Sequence, residues 1–281
     1  MFKILIVYLL YFINDATMEH SCEADNKYPW SYHGTDNGPS NWGKSYPACD
    51  EEYQSPMEIT KEFVYESIIS GIEFVGFDKP ITKATVQNVG WTVMITPGDH
   101  VQRTMKWMNK SFDLINIHFH FGTESDPGAE NVVDGVRHTM EIQYYAYQEA
   151  LKFDAILSTF MDADDDNNSE LDPITEVLSK VMYRNDSTEL KSDLYLINLL
   201  PKISSDQDYY FVYEGFKAIP PCVPINLWWI FKDVGKVGKD QLDTFNALYS
   251  VEKDDASDDC LMGSNYRPLQ KIGVRPVFSA P

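Results

Sequence analysis

Two histidines lie two residues apart in the segment LINIHFHFG, which covers residues 114–122. Apolar and polar residues alternate in this segment, and that period predicts a β-strand. Side chains at positions i and i+2 of a strand point to the same face of the sheet, so His118 and His120 present two imidazoles to one side. This spacing suits two ligands of a zinc ion. Paired histidines on a strand also occur by coincidence, and the segment alone therefore does not define a metal site.

Short β-rich runs surround the histidine strand, and turn signals such as PGD at 97–99 and DPG at 126–128 separate them. The predicted strands cover residues 84–89, 91–96, 114–121, 138–147, 155–161, 209–213, 227–231 and 274–278. Apolar residues at helical spacing after Pro173 predict a helix over 173–183. No repeat or linker divides the sequence, so we expect one mostly-β domain over residues 17–281 with a few short helices.

The composition is that of a folded and strongly acidic protein. The chain has 281 residues, of which 43% are hydrophobic and 23% are charged, and these fractions exclude a disordered chain, a collagen and a coiled coil. Its 43 acidic and 23 basic residues give a formal net charge of −20. Such a surface repels nucleic-acid phosphates and anionic membranes. An acidic surface is compatible with a secreted protein or with one that binds cations loosely.

Residues 1–16 are typical of a secretory signal peptide. The basic residue Lys3 precedes an apolar run at 4–13, and the small residue Ala16 suits a cleavage site. The run is shorter than the roughly 20 residues that span a bilayer. We therefore predict a secreted, extracellular protein without a membrane anchor.

Secretion would expose the cysteines and three N-glycosylation sequons to an oxidising compartment and to the glycosylation machinery. An even number of cysteines in an oxidising compartment implies disulfides, and several pairings are open. The cysteines are Cys22, Cys49, Cys222 and Cys260. The predicted N-glycosylation sites are Asn109, Asn167 and Asn185.

Residues 162–172, DADDDNNSELD, match a calcium loop only in part. The acidic residues alternate as in an EF-hand, but the sixth position is not glycine, and Pro173 stands where a bidentate glutamate is needed. We expect a solvated acidic loop, with loose calcium binding as the alternative.

Five blocks of the chain resemble the α-carbonic anhydrase family. They are WSYHGTDNGPSNWGKSYPACDEEYQSPMEI at 30–59, LINIHFHFG at 114–122, AENVVDGVRHTMEIQYYAY at 129–147, YEGFKAIPPC at 213–222 and NYRPLQ at 265–270. The resemblance implies a mainly β (α+β), single-domain fold with short peripheral helices. Its central sheet would be twisted and mostly antiparallel, with about ten strands, and the metal would lie at the base of a conical cleft.

In active members of the family, three histidines hold a zinc ion whose bound hydroxide attacks CO2. His118 and His120 match the first two of these ligands. Gln143 occupies the position of the third, and Glu141 matches the carboxylate that orients it. The resemblance therefore implies a zinc site that is weak or vestigial.

Other catalytic positions that the resemblance identifies are vestigial as well. Glu130 matches a buried glutamate that holds a threonine hydroxyl against the zinc-bound hydroxide, but Ala218 stands at the threonine position. Trp91 stands at the position of the proton-shuttle histidine, and an indole cannot carry a proton. The resemblance thus implies the loss of two further groups that the reaction uses.

The CO2 pocket of the family is altered too. Tyr145 shares the strand face of Gln143 and replaces a small aliphatic residue, so we expect its phenol to fill the pocket. Lys217 replaces a leucine, and its ammonium is a candidate donor for the two buried carboxylates. Trp228 matches a pocket aromatic that is retained.

The resemblance also bears on the disulfides. Cys49 and Cys222 match positions that secreted members bridge, and a cis peptide is implied before the proline pair at 220–221. Cys22 and Cys260 have no family counterpart. They could bridge each other, which we expect, or they could link the chain to a second one in a covalent oligomer.

These changes predict a carbonic anhydrase-related protein without efficient CO2 hydration. Loss of a group that supports a metal ligand commonly costs about 10- to 100-fold, and loss of a general acid or base costs about 10²- to 10⁴-fold. We expect a binding or structural protein whose partner is a protein, a glycan or a cation. The alternatives are a weakly active zinc carbonic anhydrase or esterase, and an abundant acidic storage or calcium-associated extracellular protein.

Overall fold

The computed structural model describes residues 22–66, 71–150, 152–201 and 210–280. The signal peptide predicted for residues 1–16 lies outside the described residues. The strands are β1 (Glu58–Ile59), β2 (Val64–Glu66), β3 (Glu73–Val75), β4 (Ala84–Asn88), β5 (Val93–Pro97), β6 (Thr104–Trp107), β7 (Lys110–Phe121), β8 (Val132–Val133), β9 (Met140–Gln148), β10 (Phe153–Asp164), β11 (Ser187–Glu189), β12 (Tyr210–Phe216), β13 (Pro224–Gly238) and β14 (Val277–Ala280). The α-helices are α1 (Trp42–Ser45), α2 (Asp172–Leu178), α3 (Leu196–Leu199) and α4 (Lys239–Asn246).

Twelve of the described strands form one large sheet. Its hydrogen-bonded order is β11-β4-β5-β7-β9-β10-β13-β12-β14-β2, with β6 beside β7 and β3 beside β6. The β10–β13 and β14–β2 pairs are parallel, whereas the other pairs of this sheet are antiparallel. The prediction of a mainly β fold with a mostly antiparallel sheet and short helices is confirmed. The sheet is larger than about ten strands because β3 and β6 extend it.

The helix predicted over 173–183 is shorter than expected, because α2 ends at Leu178. The next two backbone bonds run from Lys180 N to Val177 O and from Val181 N to Leu178 O, each at 2.9 Å. These are i to i−3 bonds, which tighten the chain into a turn. Val181 is nevertheless buried, so the apolar spacing identified the buried face correctly but not the length of the helix.

The strand predicted from Trp91 begins two residues later, at Val93. Gly90 adopts a positive φ of 86°, which glycine tolerates because it has no Cβ. The Val89 N–H donates to Thr92 O at 3.0 Å and closes a turn around it. Trp91 therefore lies in a turn rather than in a strand.

The two faces of β7 differ in chemistry, and this difference positions the histidines. Ile117, Phe119 and Phe121 are buried in the main hydrophobic core, where each side chain contributes about 1.5–3 kcal/mol by its burial. His118 and His120 point to the opposite face, because side chains alternate along a strand. A slip of one residue would exchange the two faces, so the core residues fix the direction of both imidazoles.

Two disulfides join distant parts of the chain. Cys49 is bonded to Cys222 and Cys22 to Cys260. The second bond is the intramolecular alternative for Cys22 and Cys260, and it leaves neither thiol for a bond to another chain. The cis peptide lies between Pro220 and Pro221 rather than before the pair, and Ser55–Pro56 is also cis. None of the helices in the described residues is long and apolar enough to cross a membrane.

Candidate functional site

The two histidines open onto a cavity of about 220 Å³. Both line it, as their spacing on β7 predicts. The other lining residues are Trp91, Met94, Asn116, Glu130, Gln143, Tyr145, Ile156, Lys217, Ala218 and Ile219. Most of the residues predicted for the site are thus brought together by strands β5, β7, β9 and β10 and by the loops beside them.

His120 is held by a loop that contains Asn265. The Nδ1 atom of His120 lies 2.7 Å from the Asn265 backbone oxygen, and the ring is buried. The Asn265 side chain completes the link: its Oδ1 accepts from Phe121 N at 2.7 Å, and its Nδ2 donates to Phe119 O at 2.9 Å. Sequence reasoning missed this role, because no spacing pattern connects Asn265 with β7.

His118 has a ring nitrogen without a hydrogen bond, unlike the Nδ1 atom of His120. Its Nε2 atom is buried and has no hydrogen-bond partner among the described residues. Burial, with smaller effects from His120 and Lys217, lowers the pKa of His118 to about 3. The imidazole is therefore neutral at physiological pH. The Trp91 ring stands edge-on to it at a centroid distance of 4.9 Å and so covers one side of His118.

Gln143 lies directly opposite His118 in the antiparallel pairing of β7 with β9. Its Nε2 donates to Glu130 Oε2 at 3.0 Å and to Glu141 Oε1 at 2.9 Å. An amide nitrogen is a donor and not a metal ligand. The side-chain nitrogen of Gln143 is thus fully used by its hydrogen bonds to Glu130 and Glu141.

Glu141 has its remaining acceptor positions filled by neighbouring residues. Asn131 donates from its backbone N to Oε2 at 2.8 Å and from Nδ2 to Oε1 at 2.9 Å. The Ser158 hydroxyl donates to Oε1 at 2.6 Å. Glu141 is thus a buried carboxylate with several donors, which is how such a group is normally stabilised. Asn131 and Ser158 were not identified from the sequence.

Glu130 is also buried, but its hydrogen bonds are longer than those of Glu141. The Tyr32 hydroxyl donates to its Oε1 at 3.2 Å, and Arg267 N donates to the same atom at 3.4 Å. Burial raises the pKa of Glu130; the positive influence of His120 opposes this rise and the charge of Glu141 adds to it. Ala218, which lines the same cavity, has no hydroxyl to offer. Tyr32 is a donor that the sequence interpretation missed.

Lys217 does not act as the new donor to the buried carboxylates. Its Nζ donates to the Tyr145 hydroxyl at 3.0 Å and lies 3.5 Å from Asp154 Oδ2. It also lies 4.3 Å from the centre of the Tyr145 ring, in a cation–π contact. The donor that the two glutamates needed is Gln143 itself. Burial raises the pKa of Tyr145, with a further rise caused by Asp154.

Tyr145 and Trp228 shape the cavity in different ways. Tyr145 forms part of the wall but leaves a cavity beside it, so the phenol does not fill the space completely. Trp228 is fully buried in a cluster with Ile156 and Ala218 and is not among the lining residues. Its Nε1 donates to Phe216 O at 3.2 Å. Trp228 therefore supports the wall from behind.

The donor set does not fit a three-histidine zinc centre. Over the ranges that the structure describes, no group of three His, Cys, Asp or Glu side chains is placed to hold a metal ion. His118 and His120 provide two imidazoles, and the nitrogen of Gln143 is engaged with carboxylates. The described cavity lining thus offers two imidazoles, those of His118 and His120.

The acidic segment 162–172 was predicted as a loop, but its first three residues continue β10 and its last residue begins α2. Ion pairs join this segment to nearby lysines. Asp164 lies 2.6 Å from Lys236, and Asp165 lies 2.8 Å from Lys239. Asn168 caps the next turn by accepting from Glu170 N at 3.1 Å. Lysines thus neutralise part of the charge that loose calcium binding would use.

The three sequon asparagines are all exposed. Asn185 also donates from Nδ2 to Glu252 Oε1 at 2.8 Å. Exposure is compatible with glycosylation of Asn109, Asn167 and Asn185, which stays a prediction.

The fold is that of a carbonic anhydrase domain. The family model of eukaryotic-type carbonic anhydrases matches residues 37–281, and the chain belongs to this family. Human carbonic anhydrase 12 is 28% identical over 272 residues, which cover 91% of this chain and 74% of that protein. Carbonic anhydrase 6 of Mus musculus is 30% identical over 234 residues, which cover 76% of this chain and 71% of that protein.

A further relative is not named as a carbonic anhydrase. Human receptor-type tyrosine-protein phosphatase zeta is 28% identical over 269 residues, which cover 89% of this chain but 11% of that protein. The fold thus also occurs as a small part of a protein that is not named a carbonic anhydrase.

Proposed function

We propose that this chain is a secreted carbonic anhydrase-related protein that has lost efficient CO2 hydration and works by binding. The observation that carries the proposal is the position of the Gln143 amide, which donates to Glu130 and Glu141 instead of presenting a third imidazole. A zinc ion held by His118 and His120 alone would lack the protein ligand that completes its tetrahedral site. Both disulfides support secretion, because such bonds persist in oxidising compartments.

The other changes in the cavity act in the same direction. Ala218 cannot orient a bound hydroxide, and Trp91 cannot relay a proton. Loss of an acid–base group commonly costs about 10²- to 10⁴-fold in rate. The losses do not add simply, but each one lowers the rate of the same reaction. The partner is a protein, a glycan or a cation, and the net charge of −20 favours a basic or cationic one.

Weak zinc activity is the second candidate function. The observation that favours it is the buried Nε2 of His118, which has no partner among the described residues, together with the retained His120. In this alternative, two imidazoles and water hold zinc loosely and the protein hydrates CO2 or cleaves an ester slowly.

Stopped-flow CO2 hydration separates the two candidates. The purified secreted protein is dialysed against zinc, analysed for bound metal, and assayed with and without a sulfonamide; human carbonic anhydrase 12 prepared identically is the positive control. We expect the background rate and no effect of the sulfonamide. A sulfonamide-sensitive rate well above background, with one zinc per chain, would overturn the proposal in favour of an enzyme.

A further inference from the structure

Three surface cavities meet at Val274 and share no lining residue with the cavity beside the two histidines. Their volumes are about 490, 440 and 610 Å³. Val274 is the most exposed large hydrophobic residue of the described chain, with 86% of its surface accessible. Tyr53, Tyr65 and Leu269 line the same cavities and are exposed as well. These four residues form an apolar patch, and exposed patches of this kind are typical of interaction surfaces.

The cavity of about 490 Å³ is lined mainly by apolar and aromatic side chains. Trp107, Val212 and Leu227 are buried parts of this lining, and Phe216 and Phe278 are partly exposed. Its volume falls within the range of roughly 300–1,000 Å³ that is usual for ligand sites. The cavity beside the apolar patch therefore suits a large apolar side chain of a partner.

Arg275 holds the backbone around the apolar patch in place. Its guanidinium donates to Tyr53 O and Gln54 O, each at 2.8 Å, and to Lys271 O at 3.0 Å. Tyr53 has a positive φ of 67°, which is uncommon for a residue with a side chain and which the bond from Arg275 helps to maintain. Backbone in such sparsely populated conformations clusters at binding and active sites. A surface that is fixed before binding loses less entropy when a partner docks.

Acidic side chains surround the apolar patch. The basic residues that line the three cavities are Lys271 and Arg275, and backbone oxygens already accept from Arg275. Five exposed carboxylates line the same cavities, and none of them forms a salt bridge within the residues that the structure describes. These rim carboxylates belong to Asp50, Glu51, Glu52, Glu62 and Glu214. The rim is therefore negative and attracts basic side chains.

The charge of the rim decides between the occupants of this surface. A second copy of this chain would place the same carboxylates against the rim in a two-fold interface, and like charges that face each other are unfavourable. An anionic membrane or a sulfated glycan would be repelled. A free cation would leave the apolar patch exposed. A protein segment that is both apolar and basic satisfies both features.

We propose that this surface binds a peptide segment of another protein in which a large apolar side chain is flanked by lysine or arginine residues. The apolar side chain enters the cavity of about 490 Å³ beside Val274. The basic side chains pair with rim carboxylates, Glu214 at this cavity and Glu51 and Glu52 at the cavity of about 610 Å³. The inference rests on the part of the proposed function that makes the chain a binding protein, and it names the class of partner.

Three labelled peptides test the proposal by fluorescence anisotropy with the full secreted chain. The probe KRKWLKRK places two apolar residues between basic ones. The first control, KRKSGKRK, keeps the charge without the apolar residues, because a chain of net charge −20 attracts any polycation. The second control, EEEWLEEE, keeps the apolar residues and reverses the charge. At about 0.15 M salt, we expect the probe to bind at least about tenfold more tightly than either control.

One pair of variants tests the apolar contact. Val274→Ser removes the apolar side chain at which the cavities meet and should weaken probe binding about tenfold. Val136→Ser is the matched control, because Val136 is 52% exposed and lines none of the three cavities. It should leave the affinity unchanged, and thermal unfolding checks that each variant is folded.

A second pair of variants tests the charge of the rim. Glu51→Lys with Glu52→Lys should weaken probe binding about tenfold and strengthen binding of EEEWLEEE. Asp258→Lys with Asp259→Lys is the matched control, because it changes the net charge equally at exposed residues that line none of these cavities. It should leave the order of the peptides and the probe affinity nearly unchanged.

The results separate this inference from the proposed loss of CO2 hydration. Equal binding of the three peptides, no probe binding to the folded chain, or a probe affinity that neither cavity variant changes would overturn the inference. A dimer of the parent chain that Val274→Ser dissociates would also overturn it, because a second copy would then occupy the apolar patch. A background CO2 hydration rate without probe binding would overturn this inference alone. A sulfonamide-sensitive rate with the expected probe binding would overturn the proposed loss of hydration and leave the peptide surface standing.

Discussion

Gln143 faces His118 across the β7–β9 pairing, and its amide nitrogen lies within 3.0 Å of both Glu130 and Glu141. One NH2 group thus serves two buried carboxyls. These bonds make Gln143 part of a hydrogen-bond network inside the protein. Its loss should therefore affect stability and not only ligand binding.

Gln143→Leu tests this structural role. The substitution keeps a similar volume but removes the donor, so two buried acceptors lose a partner. We expect the free energy of unfolding to fall by about 1–3 kcal/mol, measured by urea denaturation. Gln102→Leu is the control, because Gln102 donates to Asp113 at an exposed site, and it should change the value by less than about 0.5 kcal/mol. Equal effects of the two variants would contradict the role of Gln143.

Glu130 should make stability depend on pH in an unusual direction. Burial raises its pKa above the ordinary value of 4.5, so the folded chain keeps a proton that the unfolded chain has lost. The contribution of Glu130 is fully present below pH 4.5 and is lost as pH rises through the folded pKa. The loss is about 1.4 kcal/mol for each unit of the shift.

Glu130→Gln provides the measurement of that dependence. His118 titrates in the opposite sense, since its pKa is lowered to about 3 and its contribution is lost as pH falls below 6.5. The informative quantity is therefore the difference in unfolding free energy between the parent chain and Glu130→Gln. This difference should decline from pH 4.5 upward, and a flat difference would show that Glu130 has an ordinary pKa.

The sheet and the imidazole face were predictable because they depend on local patterns. Alternation over 114–121 placed His118 and His120 on one face, and the buried Phe119 and Phe121 on the other fix that orientation. The partners of Gln143 were not predictable. The bond to Glu130 joins residues 13 positions apart in sequence, and no periodicity reports whether an amide turns toward a cavity or toward a carboxylate.

The error over Lys217 has the same origin. Its charge made it a reasonable donor for the buried glutamates, but Asp154 lies 3.5 Å away on β10 and competes for it. Asp154 has no distinguishing sequence context. Contacts between side chains on separate strands depend on register and rotamer, which a single sequence does not specify.

A buried ion pair outside the cavity should make a large contribution to stability. Asp99 and Arg103 are bonded twice, at 2.9 and 2.8 Å, and both side chains are almost fully buried. The hydrogen bonds from Arg103 are the main cause that lowers the pKa of Asp99 to about 2. Asp99→Asn should lower the unfolding free energy by about 3–5 kcal/mol, because it leaves a buried guanidinium without its counter-ion.

The exposed pair of Lys106 and Glu73, at 3.2 Å, is the control for that experiment. Glu73→Gln should cost at most about 1 kcal/mol in the same urea titration. The stability due to Asp99 should also be lost in acid, as pH falls from 3.8 toward about 2. A small effect of Asp99→Asn would mean that the backbone oxygens that already accept from Arg103, such as Pro80 O at 2.8 Å, are enough to stabilise the buried guanidinium.

The Cys22–Cys260 disulfide should stabilise the chain without affecting the cavity. It joins residues separated by 238 positions, and closing so long a loop restricts the unfolded chain strongly. We expect Cys22→Ser with Cys260→Ser to lower the unfolding free energy by about 2–5 kcal/mol and to leave the CO2 hydration rate unchanged. Thermal unfolding and the mass of the non-reduced protein are the readouts. A disulfide-linked dimer of the parent chain would contradict the intramolecular pairing.

The last prediction concerns CO2 hydration, which the proposed function holds to be inefficient. A variant that combines Gln143→His, Tyr145→Val, Lys217→Leu and Ala218→Thr restores the third imidazole, the small pocket residue and the hydroxyl that the family resemblance implies. We expect zinc affinity to rise by at least about 10-fold and a sulfonamide-sensitive CO2 hydration rate to appear in stopped flow. The rate should stay low, because Trp91 still cannot relay a proton. The matching variant without Gln143→His should gain neither zinc affinity nor rate. If the folded fourfold variant also gains neither, then these four positions do not explain the proposed lack of efficient CO2 hydration.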